Sequence, residues 1–133
     1  MRDLRYGIEI EMTGLSRGKA AETLAGFFGT RAEHTGGGYD AYAVRDAQDR
    51  VWKLVSDGSI QTQKKVRGQT VAADSTYSVE LVSPVCVYED IGTIQEIVRA
   101  LRRNNALVND SCGIHVHVGA EKFDAQHLRN ITN

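Results

Sequence analysis

Two short segments place pairs of metal-binding side-chain types at alternate positions. Glu9 and Glu11 are separated by one apolar residue near the start of the chain, and His115 and His117 near its end. Because side chains alternate between the two faces of a β-strand, each pair projects from one face. If both segments join one sheet, the four groups would form an acidic, histidine-lined surface suited to divalent cations. Such carboxylates should be solvated or paired, because burying an unpaired charge is costly.

Two further carboxylates follow strand patterns. Glu80 alternates with apolar neighbours in a third short strand, and Asp57 lies in an Asp-Gly turn directly after another. Carboxylates are ligands that Mg²⁺ and Mn²⁺ favour, although an Asp-Gly pair is also a plain turn signal. The histidine pair could instead hold Zn²⁺ together with a carboxylate. Alternatively, one imidazole of the pair could bind a metal while the other donates a hydrogen bond to a phosphate.

Composition narrows the classes of protein. The 133 residues are 41% hydrophobic and 25% charged, with a net charge of −1, and they predict a single soluble globular domain. This charge balance gives no general attraction for nucleic acid or an anionic membrane, and no apolar stretch approaches the ~20 residues that span a bilayer. Two cysteines make no disulfide framework. We therefore expect a cytoplasmic protein with reduced thiols that binds neither nucleic acid nor membrane.

Periodicity predicts the elements that position these residues. Helical spacing predicts one helix that Ser16 caps and Gly29 ends, and a second over Tyr88–Asn105. Gln61–Ser75 is interpreted as a polar excursion or mobile insertion, and Arg31–Gly38 as a loop. Alternation predicts five strands, the second and third forming a hairpin: Leu4–Met12, Tyr39–Val44, Val51–Val55, Tyr77–Val82 and Ile114–Val118.

A further helix is predicted to begin close to the end of the chain. Asp124 is a suitable N-cap, with Phe123 and Leu128 placed as a hydrophobic staple. Isolated helices shorter than ~12–15 residues are marginal. We therefore expect this chain to be a truncated form of a longer protein.

In this order the motifs resemble the amidoligase family, which is related to glutamine synthetase and glutamate–cysteine ligase. The resemblance extends over residues 4–131 and includes the long helix. It implies an α+β fold, a curved and largely antiparallel sheet with helices packed on one face and the glutamates and histidines on the open face. The segments that carry it are Tyr6–Met12, Trp52–Ser59, Val79–Pro84 and Cys112–Val118.

The resemblance implies an ATP- and Mg²⁺-dependent (or Mn²⁺-dependent) ligase that joins a carboxylate to an amine through an acyl phosphate. The substrates would be small molecules, peptides or protein side chains. His117 would approach the nucleotide phosphates, and Asp57 would act as a catalytic residue that binds a metal or the substrate amine. The matched metal ligands are Glu9, Glu11, Glu80 and His115.

Related ligases continue beyond the His-x-His strand with more sheet and with basic residues that bind phosphates. The resemblance thus predicts that residues 1–133 form the N-terminal part of a catalytic domain, inactive alone, whose exposed sheet edges favour a homo-oligomer. Two other functions stay open. Tolerance of Glu9→Gln would indicate a non-catalytic binding or scaffold module derived from a ligase fold. Zinc retention and indifference to ATP would indicate a zinc hydrolase that uses His115 and His117.

Overall fold

The computed structural model describes residues 4–119, which form eight strands and two α-helices. None of the helices in this described part is long and apolar enough to cross a membrane. The elements in chain order are β1 (Tyr6–Met12), α1 (Arg17–Phe28), β2 (Ala32–Gly36), β3 (Ala41–Arg45), β4 (Val51–Val55), β5 (Gln63–Val66), β6 (Gln69–Ala72), β7 (Val79–Val82), α2 (Ile91–Arg103) and β8 (Ile114–Val118).

Six of the strands form one antiparallel sheet in the order β2-β3-β4-β7-β1-β8, and β5 pairs with β6 in a separate hairpin. Both helices pack against one face of the large sheet, where Leu24 of α1 and Ile97 of α2 join Trp52, Leu54 and Leu81 in the core. The predicted α+β fold is therefore confirmed. Since side chains alternate along each strand, residues between these core positions project from the opposite face.

The helices begin and end where local chemistry predicts. The Ser16 hydroxyl accepts a hydrogen bond from the Lys19 N–H at the start of α1. Gly29 ends that helix with φ of 72°, a left-handed conformation that glycine adopts without steric cost. The predicted helix over Tyr88–Asn105 is a 3₁₀ turn, Tyr88–Asp90, followed by α2.

The interpretation of Arg31–Gly38 as a loop is wrong. This segment contains β2, an edge strand that pairs with β3 in the large sheet. Its central side chains Glu33, His34 and Thr35 are exposed, so it carries no apolar alternation. Its place in the sheet depends on backbone hydrogen bonds to β3, which side-chain periodicity does not report.

The interpretation of Gln61–Ser75 as an excursion or mobile insertion also needs correction. The segment contains the β5–β6 hairpin, which turns through Arg67 and Gly68 with φ of 53° and 80°. Positive φ at both central residues is typical of a tight hairpin turn. Because both strands are polar and largely exposed, their sequence lacks the apolar alternation by which strands are recognised.

The helical layer leaves β8 partly uncovered within the described residues. Ile114, Val116 and Val118 on its helix-facing side are 64%, 54% and 66% exposed. A mainly apolar cavity of about 940 Å³ lies between this strand and α2. The helix start predicted at Asp124, with Phe123 and Leu128, lies outside the described residues.

Candidate metal centre

Three carboxylates converge on the sheet face opposite the helices. One carboxylate oxygen from each of Glu11, Asp57 and Glu80 lies within 4.8 Å of the other two, and we call these residues the acidic cluster. Glu11 of β1 and Glu80 of β7 are direct cross-strand partners, and Glu80 in turn pairs with Val55 at the end of β4. Asp57 follows two residues later. Three adjacent strands therefore supply the cluster, although the residues are far apart in sequence.

The glutamates of this face are buried, contrary to the expectation of an open, solvated surface. Glu9 is 0% exposed, Glu11 7% and Glu80 2%. The chain after β4 is hydrogen-bonded to two distant segments. The Asp57 N–H donates to the Ser78 hydroxyl, and the Gln61 N–H donates to the Ser111 hydroxyl. Strand alternation assigns a residue to a face, but it does not reveal whether that face is buried or solvated.

Asp57 is held by two serines. The Ser78 hydroxyl accepts a hydrogen bond from the Asp57 N–H at 2.8 Å and donates to the Asp57 carbonyl at 2.7 Å. The Asp57 Oδ1 accepts hydrogen bonds from the N–H and the hydroxyl of Ser59. These contacts fix both the backbone and the carboxylate of Asp57, so the Asp-x-Ser turn presents its acid in one orientation beside Glu11 and Glu80.

Glu11 is positioned by the backbone of Gly113. The Glu11 N–H donates to the Gly113 carbonyl, and the Glu11 Oε1 accepts from the Gly113 N–H at 2.8 Å. Burial raises the pKa of Glu11 above its ordinary value, and the hydrogen bond to the Asp57 side chain and its negative charge raise it further. The Gly113 N–H and His115 lower this pKa without offsetting the rise. Proton affinity is thus increased where negative charges crowd together.

The histidines lie beside the cluster. His115 is the cross-strand partner of Glu9, and His117 Nε2 lies 4.0 Å from Glu9 Oε1. A methyl group placed on Gly113 would lie 3.6 Å from both Glu11 Oε1 and His115 Nε2, so these two side chains flank the glycine. The structure therefore brings all six sequence-predicted site residues to one region. Glu11, Asp57 and Glu80 form one part of it, and Glu9 with His117 the neighbouring part.

Two positioning residues were not predicted from the sequence. Ser78 holds Asp57, and Gly113 holds Glu11. The spacing of each residue in the sequence could have indicated its position. Ser78 precedes Glu80 by two positions, and Gly113 precedes His115 by two positions, so each lies on the same strand face as that site residue. Neither residue type is specific enough to indicate which carboxylate it would contact.

The acidic cluster fits a hard divalent cation. Mg²⁺ binds oxygen ligands at about 2.0–2.1 Å, so oxygens on opposite sides of the ion are about 4.2 Å apart. Oxygens that lie within 4.8 Å of one another can reach this arrangement through small side-chain movements. Carboxylate oxygens favour Mg²⁺ or Mn²⁺ over softer metals. A cation would also offset the like-charge repulsion that raises the pKa of Glu11.

Comparison with known proteins identifies the family of the chain. No curated protein and no solved structure gives a significant match to the chain. A family model described as "Putative amidoligase enzyme" matches residues 2–133, nearly the whole chain. Its match includes every strand that supplies the candidate centre. On this evidence the chain belongs to the amidoligase family.

Proposed function

We propose that this chain carries the cation-binding part of an ATP-dependent carboxylate–amine ligase. The observation that supports the proposal most directly is the acidic cluster, in which Glu11, Asp57 and Glu80 bring oxygens within 4.8 Å of one another on a largely buried sheet face. Family membership points to amide-bond formation. Such a ligase must bring a nucleotide triphosphate and a substrate carboxylate together, and divalent cations offset the repulsion between these anions.

The geometry suggests a division of roles. Glu11, Glu80 and Asp57 would share one cation, since their oxygens converge on one point. Glu9, with His115 as its cross-strand partner, would contribute to a second cation on the same face. A bound Mg²⁺ or Mn²⁺ would stabilise charge on the transferred phosphoryl group.

His117 is proposed to contact the nucleotide phosphates. Its Nε2 has no hydrogen-bond partner within residues 4–119, although the atom is buried and lies 4.0 Å from Glu9 Oε1. An imidazole N–H directed at a phosphate oxygen would satisfy this nitrogen. The chemistry proposed for the family joins a carboxylate to an amine in two stages. Phosphoryl transfer first activates the carboxylate as an acyl phosphate, and the amine then displaces phosphate from it.

The proposal is tested by binding experiments on the 133-residue chain. We expect Mn²⁺ to bind and to be required for binding of a non-hydrolysable ATP analogue, both followed by calorimetry. Glu80→Gln keeps the shape of the side chain but removes a ligand charge, so it should abolish Mn²⁺ binding at the acidic cluster and the analogue binding that depends on it. Glu22→Gln on the exposed surface of α1 is the matched control and should change neither. The proposal would be contradicted if the wild type bound the ATP analogue equally well without Mn²⁺. It would also be contradicted if Glu80→Gln bound Mn²⁺ and the analogue as the wild type does.

A zinc titration in the same experiment addresses the hydrolase alternative. Carboxylate oxygens dominate the centre, so Mn²⁺ should bind through the acidic cluster and Glu80→Gln should remove it. Zinc binding that depends on His115 and His117, without any effect of the ATP analogue, would overturn the ligase proposal in favour of a zinc site.

A further inference from the structure

A lysine lies on the same sheet face as the candidate centre. Lys53 in the middle of β4 is the cross-strand partner of Val82, and Val82 is the partner of Glu9 on its other side. Glu9, Val82 and Lys53 therefore form one row across three adjacent strands. Strands are spaced by about 4.8 Å, so the backbones of Glu9 and Lys53 are roughly 9.6 Å apart, with their side chains on the same face.

The surroundings of Lys53 leave its charge available. The side chain is half-buried, and within residues 4–119 it takes part in no ion pair or hydrogen bond. Val82 beside it is 2% exposed and packs with Val55 and Ala41 in a small apolar cluster. A lysine stem commonly covers such apolar surface while its ammonium group stays at the margin. Such an arrangement would place the Lys53 ammonium beside a low-dielectric surface, where ionic interactions are stronger than in water.

Several other described basic residues have different surroundings. Arg17 forms an ion pair with Asp40. Arg50 forms ion pairs with Asp46 and Asp90. Lys19 lies on the exposed surface of α1, on the helix side of the sheet. Arg5 precedes β1 by one residue and is exposed, beyond the row that contains Glu9. Lys53 combines a central position in the sheet, half-burial and the same row as Glu9.

From this placement we infer that Lys53 binds the phosphoryl group that the ligase transfers, through a charge-assisted hydrogen bond to a phosphate oxygen. The inference rests on the proposed function and adds a residue to it. Cations held by the glutamates would approach the phosphoryl group from one side, and the Lys53 ammonium from the other side across Val82. Lysine is a compact point charge with three donors and is suited to this contact. Removing a hydrogen bond to a charged group commonly weakens binding about tenfold to 100-fold.

The test separates the charge of Lys53 from its packing. Lys53→Met keeps an unbranched stem over Val82 but removes the ammonium, and Lys53→Arg keeps the charge. Lys19→Met on α1 removes one positive charge from the opposite side of the sheet and is the matched control. Calorimetry in the presence of Mn²⁺ would compare ADP with a non-hydrolysable ATP analogue that carries the third phosphate.

We expect Lys53→Met to bind the ATP analogue about tenfold to 100-fold more weakly, with ADP binding changed by less than about threefold. Binding of Mn²⁺ alone should be retained, Lys53→Arg should recover most of the affinity, and Lys19→Met should resemble the wild type. Equal binding by Lys53→Met and wild type, while Glu80→Gln loses Mn²⁺, would overturn the role of Lys53 and leave the proposed function standing. An equal loss for ADP and the analogue would also overturn it. Absence of any Mn²⁺-dependent nucleotide binding by the wild type would overturn both.

Discussion

Within residues 4–119, two groups of buried carboxylates lie in opposite electrostatic surroundings. In the first, Arg50 lies between Asp46 and Asp90, with N–O distances of 2.9 Å to each. The Trp52 indole N–H also donates to Asp46. Burial raises the pKa of both aspartates, but these hydrogen bonds and the arginine charge outweigh it and hold each pKa below its ordinary value.

In the second group, the acidic cluster, a carboxylate has another carboxylate as its neighbour. Burial and Asp57 raise the pKa of Glu11, and the Gly113 N–H and His115 only moderate that rise. A lowered pKa means that the folded state stabilises the charged form, whereas a raised pKa means that it resists that form. The folded state therefore favours the charged forms of Asp46 and Asp90 but disfavours the charged form of Glu11.

The largest expected effect is on the first group. Arg50→Met would leave Asp46 and Asp90 buried without their cation, and breaking a buried ion pair costs about 3–5 kcal/mol. Because the Arg50 side chain is 25% exposed, we expect a loss near the lower end of that range in the free energy of unfolding measured by urea titration.

A neighbouring arginine provides the matched control for this change. Arg45 pairs with Asp49 at 3.4 Å, and both side chains are exposed. Exposed pairs contribute little, so Arg45→Met should cost less than about 1 kcal/mol. Equal losses for the two variants would show that the Asp46–Arg50–Asp90 group is not a principal stabilising element.

The next largest effect is expected at the acidic cluster, where removing a charge should not lower the stability of the metal-free protein. Glu11→Gln retains an oxygen to accept the Gly113 N–H but removes one of the crowded charges. We expect Mn²⁺ affinity to fall by at least about 100-fold, because even residues that only orient metal ligands cost 10–100-fold. The metal-free variant should melt at the same temperature as the wild type or higher. Lower thermal stability together with unchanged Mn²⁺ affinity would show that Glu11 stabilises the fold, as Asp46 and Asp90 do, and does not bind the metal.

Acid titration should separate the two groups by pH. Burial and Asp57 raise the pKa of Glu11 above its ordinary value, and Mn²⁺ binding needs the ionised form, so Mn²⁺ affinity should fall as the pH drops through that raised pKa. The pKa values of Asp46 and Asp90 are held below the ordinary value of aspartate. Their contribution to stability is present above that ordinary value and is lost only as the pH falls through the lowered pKa values. Calorimetry and circular dichroism across pH 3–7 would measure the two events, and their coincidence would contradict the distinction.

The smallest expected effect tests how Asp57 is held. Ser78→Ala removes both hydrogen bonds to the Asp57 backbone and should weaken Mn²⁺ binding about tenfold, less than Glu11→Gln does. The free energy of unfolding should fall by about 1–2 kcal/mol. Thr23→Ala, which removes an exposed hydroxyl from α1, is the matched control and should leave Mn²⁺ binding unchanged. Unaltered Mn²⁺ binding by Ser78→Ala would show that Asp57 needs no such support.

Much of the fold follows from local patterns. The strands β1, β4, β7 and β8 carry apolar alternation, and α1 and α2 carry helical spacing, so each was predicted within a few residues of its structural bounds. The polar strands β2, β5 and β6 were missed because their side chains are mostly exposed and report no burial. Their pairing is a property of the backbone, which no single side chain encodes.

The candidate centre was likewise predictable from the sequence only in part. The sequence by itself determined which residues share a face, because strand alternation is local: Glu9 with Glu11, and His115 with His117. Only the tertiary structure decided that Glu11 lies opposite Glu80, that Asp57 reaches both, and that both glutamates are buried. Strand order and loop crossings depend on contacts between residues far apart in the chain. The burial that raises the pKa of Glu11 therefore arises only when the whole sheet has formed.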